Sequence, residues 1–254
     1  MAKHARDGAT PRKVLVVDVG GTHVKVLATG RTAVRKARSG TTLTPGRMVD
    51  AARRLAADWA YEAVSIGFPG ITGRHGPASE PGNLGCGWVG FDFAAAFGRP
   101  VKIVNDAAMQ ALGSFDGGRM LFLGLGTGLG SALIADKTIV TMELSQLPWK
   151  GRKVTLGEVL CGRGLDRLGR RKWRHIVATV ASDLMKAVLA DYVVIGGGNA
   201  RHLGELPHGV RVGHNLAAFR GGFRLWGLED VPVLTSDRPE AAPDPPQPND
   251  WRLL

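Results

Sequence analysis

Asp18-Val19-Gly20-Gly21-Thr22-His23-Val24-Lys25 lies between two apolar runs, Val14–Val17 and Val24–Ala28. Two short β-branched runs joined through glycines read as a β-hairpin. Glycine reaches positive φ and lets the main chain approach an anion closely, so a tip of bare N–H groups beside a Thr hydroxyl suits a phosphate. The pattern returns further on. Gly124-Leu125-Gly126-Thr127-Gly128-Leu129-Gly130-Ser131 lies between Met120–Leu123 and Ala132–Ala135. Asn105-Asp106 stands between the two tips, straight after the apolar run Val101–Val104, and Gly196-Gly197-Gly198-Asn199 follows Tyr192–Ile195. Two anion tips with a carboxylate between them in sequence predict a phosphoryl-transfer cleft. Each half opens on such a hairpin and alternates into strands and helices, which predicts an α/β protein of two similar lobes.

Working outward, residues 1–12 form a polar leader expected to fray, and residues 13–117 form the N-terminal lobe. Its expected strands are Val14–Val19, Val24–Ala28, Thr32–Lys36, Ala63–Phe68 and Val101–Val104. Pro45 fits the first turn of a helix running to about Tyr61. Phe91–Phe97 and Ala107–Phe115 read as further helices. The C-terminal lobe covers 118–227, with strands at Met120–Leu125, Ser131–Ala135, Thr138–Met142, Tyr192–Ile195 and Val210–Val212. Helical patterning from Leu156 towards Leu189 carries a break at Gly162. The tail, 228–254, is rich in Pro and acids, cannot bury a core and is expected to be disordered.

Composition bounds the rest. The 254 residues, 44% hydrophobic and 22% charged, suit a globular protein with a real core. No apolar run reaches the roughly 18 residues that span a bilayer, and the N-terminus lacks a signal-peptide core. Only Cys86 and Cys161 occur, too few for a disulfide framework or a cysteine zinc site. Together these favour a reducing cytoplasm. Lys and Arg exceed the acids by 33 to 22, a net charge of +11. Such a surplus attracts polyanions: nucleic acid, a membrane surface or a phosphate chain.

The four glycine-bearing segments, in this order, resemble the ROK family (repressors, open reading frames and sugar kinases) from about Val14 to Trp226. That resemblance implies the two-lobed actin-like, ribonuclease-H-like ATPase fold with a cleft between the lobes. Leu165–Arg174, Tyr192–Ala200 and Phe219–Trp226 look like the polyphosphate glucokinase branch. The implied activity is Mg²⁺-dependent transfer of a phosphoryl group from inorganic polyphosphate or ATP to the 6-hydroxyl of glucose or a related hexose. The alternatives are a strictly ATP-dependent sugar kinase and a catalytically weak sugar-binding regulatory protein. Family repressors carry an N-terminal helix-turn-helix, whereas about a dozen residues precede the first strand here, which disfavours specific DNA reading. A homodimer is expected from the resemblance alone, and no membrane partner is expected.

The resemblance also distributes roles. Asp106 becomes the catalytic base, although Asn-Asp after a strand also reads as a helix N-cap. Asp18 organises Mg²⁺ through water, while Gly20, Gly21 and Thr22 hold the transferred phosphoryl group. Lys25 either stabilises that group or lies exposed on its strand. Gly126, Thr127 and Gly128 form the second phosphate turn, and Gly197, Gly198 and Asn199 border the outer donor. Pro69, Gly70, Asn83, Asn105, Glu143 and Glu158 match sugar-contacting positions. Glu143-Leu144-Ser145-Gln146 departs from the family's Glu-x-Gly-His, so Gln146 stands where a sugar-contacting His is usual. The family's zinc-binding cysteines are missing too, and no zinc is expected. Trp88 suits either the sugar pocket or plain packing. Arg167, Arg170, Arg171 and Arg174 fall at helical offsets, forming one basic face for a phosphate polymer or simply a solvated helix face.

Overall fold

The computed structural model describes residues 13–151, 153–214, 216–228 and 251–253. The leader and most of the Pro-rich tail therefore lie outside the described residues. Two mixed sheets organise the chain, and they echo each other. The first is built from β1 (Val14–Val19), β2 (His23–Ala28), β3 (Arg35–Arg38), β4 (Ala63–Phe68) and β7 (Val101–Asn105), in the order β3-β2-β1-β4-β7. A small hairpin, β5 (Thr72–Gly73) with β6 (Gly76–Pro77), stands apart from it. The second contains β8 (Met120–Leu125), β9 (Leu129–Ala135), β10 (Thr138–Met142), β11 (Tyr192–Gly196) and β12 (Val210–Val212). Its order is β12-β11-β8-β9-β10, extended at the β10 edge by β13 (Arg252–Leu253). In both sheets an antiparallel three-strand meander is followed, on its other side, by two parallel strands.

The helices follow from local signals. α1 (Pro45–Leu55) starts at Thr44, whose hydroxyl accepts from the Arg47 N–H, with Pro45 in the first turn. It ends six residues before the expected Tyr61, because Asp58 turns out to pair with Arg35 while Trp59 folds into the core beneath that guanidinium. β3 begins at Arg35 rather than Thr32, since its register pairs Val26 with Arg35 and leaves 29–34 as the turn. α2 (Phe93–Phe97) is capped by Asp92. α3 (Asp106–Ser114) is capped by Asn105, which accepts from the N–H groups of Ala107 and Ala108. α4 (Leu156–Leu160), α5 (Gly162–Leu168) and α6 (Arg170–Ala187) replace the long helical stretch expected after Leu156, and α7 (Ala217–Arg224) closes the core.

Alternation decides which helices cover which face. Leu15, Val17, Val24, Val26 and Ile66 face α1 and α2, while Val14, Val16 and Leu27 face α7. Trp88 is fully buried between Phe68 and Phe93, with its indole N–H on the Gly85 carbonyl at 2.8 Å. The packing reading of that residue holds. In the second sheet, Leu121, Leu123, Val193 and Ile195 pack on α6, and Met120, Phe122 and Ile134 pack on α3. α3 thus lies between the sheets. α7, expected in the second lobe, returns to the first sheet and packs on β1, β4 and α3. At the far end of the chain Trp251 meets Phe115 edge-on at 5.4 Å, so residues 251–253 are ordered where a disordered tail was expected.

Candidate active site

The two hairpin tips are built alike. The Gly20 N–H donates to the His23 carbonyl at 3.0 Å, and the Gly126 N–H donates to the Gly128 carbonyl at 3.0 Å. Each first glycine closes its own turn. The next two amides, Gly21 and Thr22 in one tip and Thr127 and Gly128 in the other, have no protein acceptor among the described residues. Both tips open on one cleft of about 600 Å³, lined by Gly20, Gly21, Gly126, Thr127, Gly128, Asn105 and Asp106 among others. Pro69, Gly70, Asn83, Glu143 and Gly197 also lie along its walls, whereas Thr22, Lys25, Gly198, Gln146 and Glu158 are not among its lining residues. A Cβ on Gly130 would come within 2.8 Å of the Ala107 Cβ, so the second hairpin meets the first turn of α3 directly.

Asp106 sits where β7 ends and α3 begins, at the floor of this cleft. Burial, and then the nearby Asp18 charge, push its pKa up to about 7, against the lowering effect of its hydrogen bond from the Ala107 N–H at 2.8 Å. A carboxyl poised near neutrality suits a general base. The capping expected of the Asn-Asp pair is done by Asn105. Its amide also donates to the Gly70 carbonyl at 3.0 Å, tying the Pro69-Gly70 loop to the start of α3. Asp18 does not line the cleft. It pairs with Lys25 at 3.2 Å, and Lys25 is otherwise exposed.

Asn83 reaches over the first tip: a Cβ on Gly21 would lie 2.6 Å from its amide nitrogen. Glu143 lies on the opposite rim, where its carboxylate accepts from the Ser145 hydroxyl, and the Gln146 amide donates to that hydroxyl at 3.3 Å. Gln146 therefore stands behind Glu143, linked through Ser145. Glu158 does not line the cleft, although its helix packs on the Leu144–Gln146 turn beside Glu143. Its carboxylate accepts from the Thr155 N–H at 2.7 Å while the Thr155 hydroxyl accepts from the Glu158 N–H, a capping box on α4. Glu158→Ala is expected to cost about 1 kcal/mol of stability, read by thermal melting, with no change in hexose affinity. A large rise in hexose KM would return Glu158 to the sugar site.

Gly197 (φ +83°) holds a conformation side chains rarely adopt, and a Cβ there would lie 2.5 Å from the Leu125 carbonyl oxygen. The β11 loop thereby lies against the β8 end. Asn199 reinforces this by donating to the Gly126 carbonyl at 3.0 Å, so it supports the second tip rather than lining the cleft. Among the described residues, no group of three or more His, Cys, Asp or Glu side chains is placed to hold a metal. Mg²⁺ is ordinarily held by one or two carboxylates together with substrate phosphates. Asp18 beside the first tip fits that donor set.

No protein-family model matches the chain. It is 26% identical over 151 residues to polyphosphate glucokinase from Mycobacterium tuberculosis, a match covering 54% of this chain and 57% of that protein. Among solved structures, the inorganic polyphosphate/ATP-glucomannokinase from Arthrobacter sp. strain KM superposes with a TM-score of 0.72 at 22% identity, covering 86% of this chain and 99% of the other. A ROK family glucokinase from Streptomyces griseus, solved with glucose and AMPPNP, gives 0.65 at 18% identity, covering 84% and 98%. The fold is that of the ROK sugar kinases.

The four arginines expected on one helix face are divided between two helices, although Arg170 and Arg174 of α6 both act on His202, as does Arg201. Gly169 (φ +75°) ends α5, and α6 starts afresh at Arg170. Arg167 donates to the Glu158 carbonyl at 3.3 Å, and Arg174 is drawn onto the His202 carbonyl. Arg170 and Arg171 are exposed in the first turn of α6, beside Lys172 and His175. Gly169 interrupts the helix, so offsets counted across it do not place all four arginines on one face. The ROK cleft also contains residues that the motifs missed. Gln110, one turn beyond Asp106 on α3, lines it, as does Thr141. An i, i+4 spacing from Asp106 was the available signal for Gln110.

Proposed function

We propose that the protein is a hexose kinase that takes its phosphoryl group from inorganic polyphosphate and also from ATP. The carrying observation is Asp106, poised near neutrality in a cleft between two amide-rich tips. The similarity to polyphosphate glucokinase and the shared fold support the donor and acceptor classes. The sugar sits against Pro69-Gly70, Asn83, Asn105 and Glu143, whose carbonyl, amide and carboxylate groups can meet several hydroxyls at once. Asp106 accepts the 6-hydroxyl proton as that oxygen bonds to the terminal phosphorus and the bond to the rest of the donor breaks. The free amides of Gly21, Thr22, Thr127 and Gly128 hold the phosphoryl oxygens. Asp18, beside the first tip, would hold Mg²⁺ through water together with the donor phosphates, and the ion would neutralise phosphate charge there. The resemblance brings a homodimer and a cytoplasmic setting into the same proposal.

The test is hexose phosphorylation by the purified full chain with Mg²⁺, glucose or mannose, and either polyphosphate or ATP. Sugar 6-phosphate from polyphosphate is the expected result. Product from ATP alone would make it an ATP-dependent sugar kinase. No product from either donor across several hexoses would leave a sugar-binding protein, with Gln146 the residue to exchange for His first.

A further inference from the structure

The outward face of the β2–β3 hairpin carries a charge pattern that sheet stability disfavours. Lys25 stands directly opposite Lys36, and His23 directly opposite Arg38. Lys25 and Lys36, like charges in directly opposed positions, repel across the sheet. Strand geometry puts the four within a patch of about 5 Å by about 7 Å. Lys25, Lys36 and Arg38 are exposed. Asp18 is the one acid paired with any of them among the described residues. Leu27, two residues along β2 on the same face, is covered with Val14 and Val16 by α7, but α7 packs on β1 and β4 and leaves this end of β2 and β3 open. The opposite face of the hairpin is closed by α1.

The patch adjoins the first tip, to which Ser39, next to Arg38, donates through its N–H and hydroxyl. His23 directly follows the first tip, and its ring shares a hydrogen bond with the Thr22 hydroxyl at 3.2 Å. Asp18 lies in the same row as Lys25 and Lys36, pairs with Lys25, and its charge reaches Asp106. A linear polyanion leaving the first tip would meet these side chains next. We propose that a polyphosphate donor leaves the cleft over this face, with Lys36 and Arg38 binding phosphates beyond the transferred one. The inference rests on the polyphosphate reading of the cleft. It replaces the α6 route, whose arginines are divided by Gly169 and partly held by backbone carbonyls.

The experiment is direct binding, without turnover, of long-chain polyphosphate and of tripolyphosphate to the full chain, across a salt series. The variants are Lys36→Ala/Arg38→Ala and, for the rival route, Arg170→Ala/Arg171→Ala. Removing Lys36 and Arg38 is expected to weaken long-chain binding by about tenfold or more and to reduce the salt slope by about two. Tripolyphosphate, held by the tips, should change less than the long chain. An unchanged melting temperature excludes misfolding, since both side chains are exposed. Three outcomes overturn the proposal: no polyphosphate binding by the parent chain, a loss confined to the α6 variant, or single-stranded DNA binding the face as tightly as polyphosphate does. No binding by the parent chain marks failure of the polyphosphate reading, whereas parent binding that the Lys36/Arg38 variant leaves unchanged marks failure of this route alone.

Discussion

In the Asp106→Asn variant, hexose phosphorylation falls by about 10²–10⁴-fold while the fold persists. Asn matches the carboxyl in shape, and its side-chain oxygen can still accept from the Ala107 N–H, as Asp106 does at 2.8 Å. Only the proton acceptor is lost. The parent chain carries a second signature. With a folded pKa of about 7, Asp106 is protonated and inactive below neutrality. The rate should drop about tenfold for each pH unit below that value. Stability moves the other way. A pKa raised above the ordinary 3.8 means that the proton is held more tightly in the folded state. The associated stability is full below about pH 4 and is lost as the pH rises through about 7. Above that, the ionised carboxylate is a standing cost on the order of a few kcal/mol. Asp106→Asn should therefore melt higher than the parent at about pH 8, with the gap shrinking towards pH 5. A variant that is dead and also more stable marks a strained functional carboxyl, and calorimetry with a coupled assay reads both. Retained turnover, or a parent rate flat from about pH 5 to about pH 8, would remove Asp106 from the reaction.

The parts of this site legible in the sequence were those encoded in a few adjacent residues. Each hairpin tip is a glycine-bearing turn between apolar runs, so its position and its open amides are both local. Asn105-Asp106 was legible as a strand end, though not as a division of labour in which Asn105 caps α3 while Asp106 lines the cleft floor. What failed depended on chain direction or on distant partners. The basic face from Arg167 to Arg174 assumed one helix axis, and Gly169 broke it. Glu158 has the residue type of a sugar ligand, but Thr155 three residues earlier claims it for a capping box, a pairing that the sequence did offer. The opposed cations of β2 and β3 were invisible without the register, because β3 lies three residues from where its composition suggested. The return of α7 to the first sheet has no local signal at all. Its cause is complementarity between glycines more than 100 residues apart.

That complementarity carries the other large expected effect. Gly221 on α7 faces α3 so closely that a Cβ would lie 1.8 Å from the Met109 carbonyl oxygen, and a Cβ on Gly113 would lie 1.8 Å from the Ala217 carbonyl oxygen. Both neighbours are helix backbone, which cannot rotate aside as a side chain could. Arg224, buried on the same helix, donates to the Leu112 and Phe115 carbonyls at 2.7 and 2.8 Å and so satisfies the C-terminal end of α3. Gly221→Ala must therefore push α7 and α3 apart, losing packing along the contact and stretching these bonds. A cost of about 3 kcal/mol or more is expected, lowering the melting temperature by about 6–12 °C. The damage reaches the reaction because α3 carries Asp106 at its first residue and packs on both sheets. The folded variant should thus show a lower kcat as well as a lower melting temperature. Gly46→Ala is the matched control. It lies in α1 with open space where its Cβ would go, so the same substitution should leave stability unchanged or raise it by up to about 1 kcal/mol. If Gly221→Ala melts like the parent, the close approach of α3 and α7 is wrong. If it melts low with kcat intact, that contact holds the lobes together without setting the base.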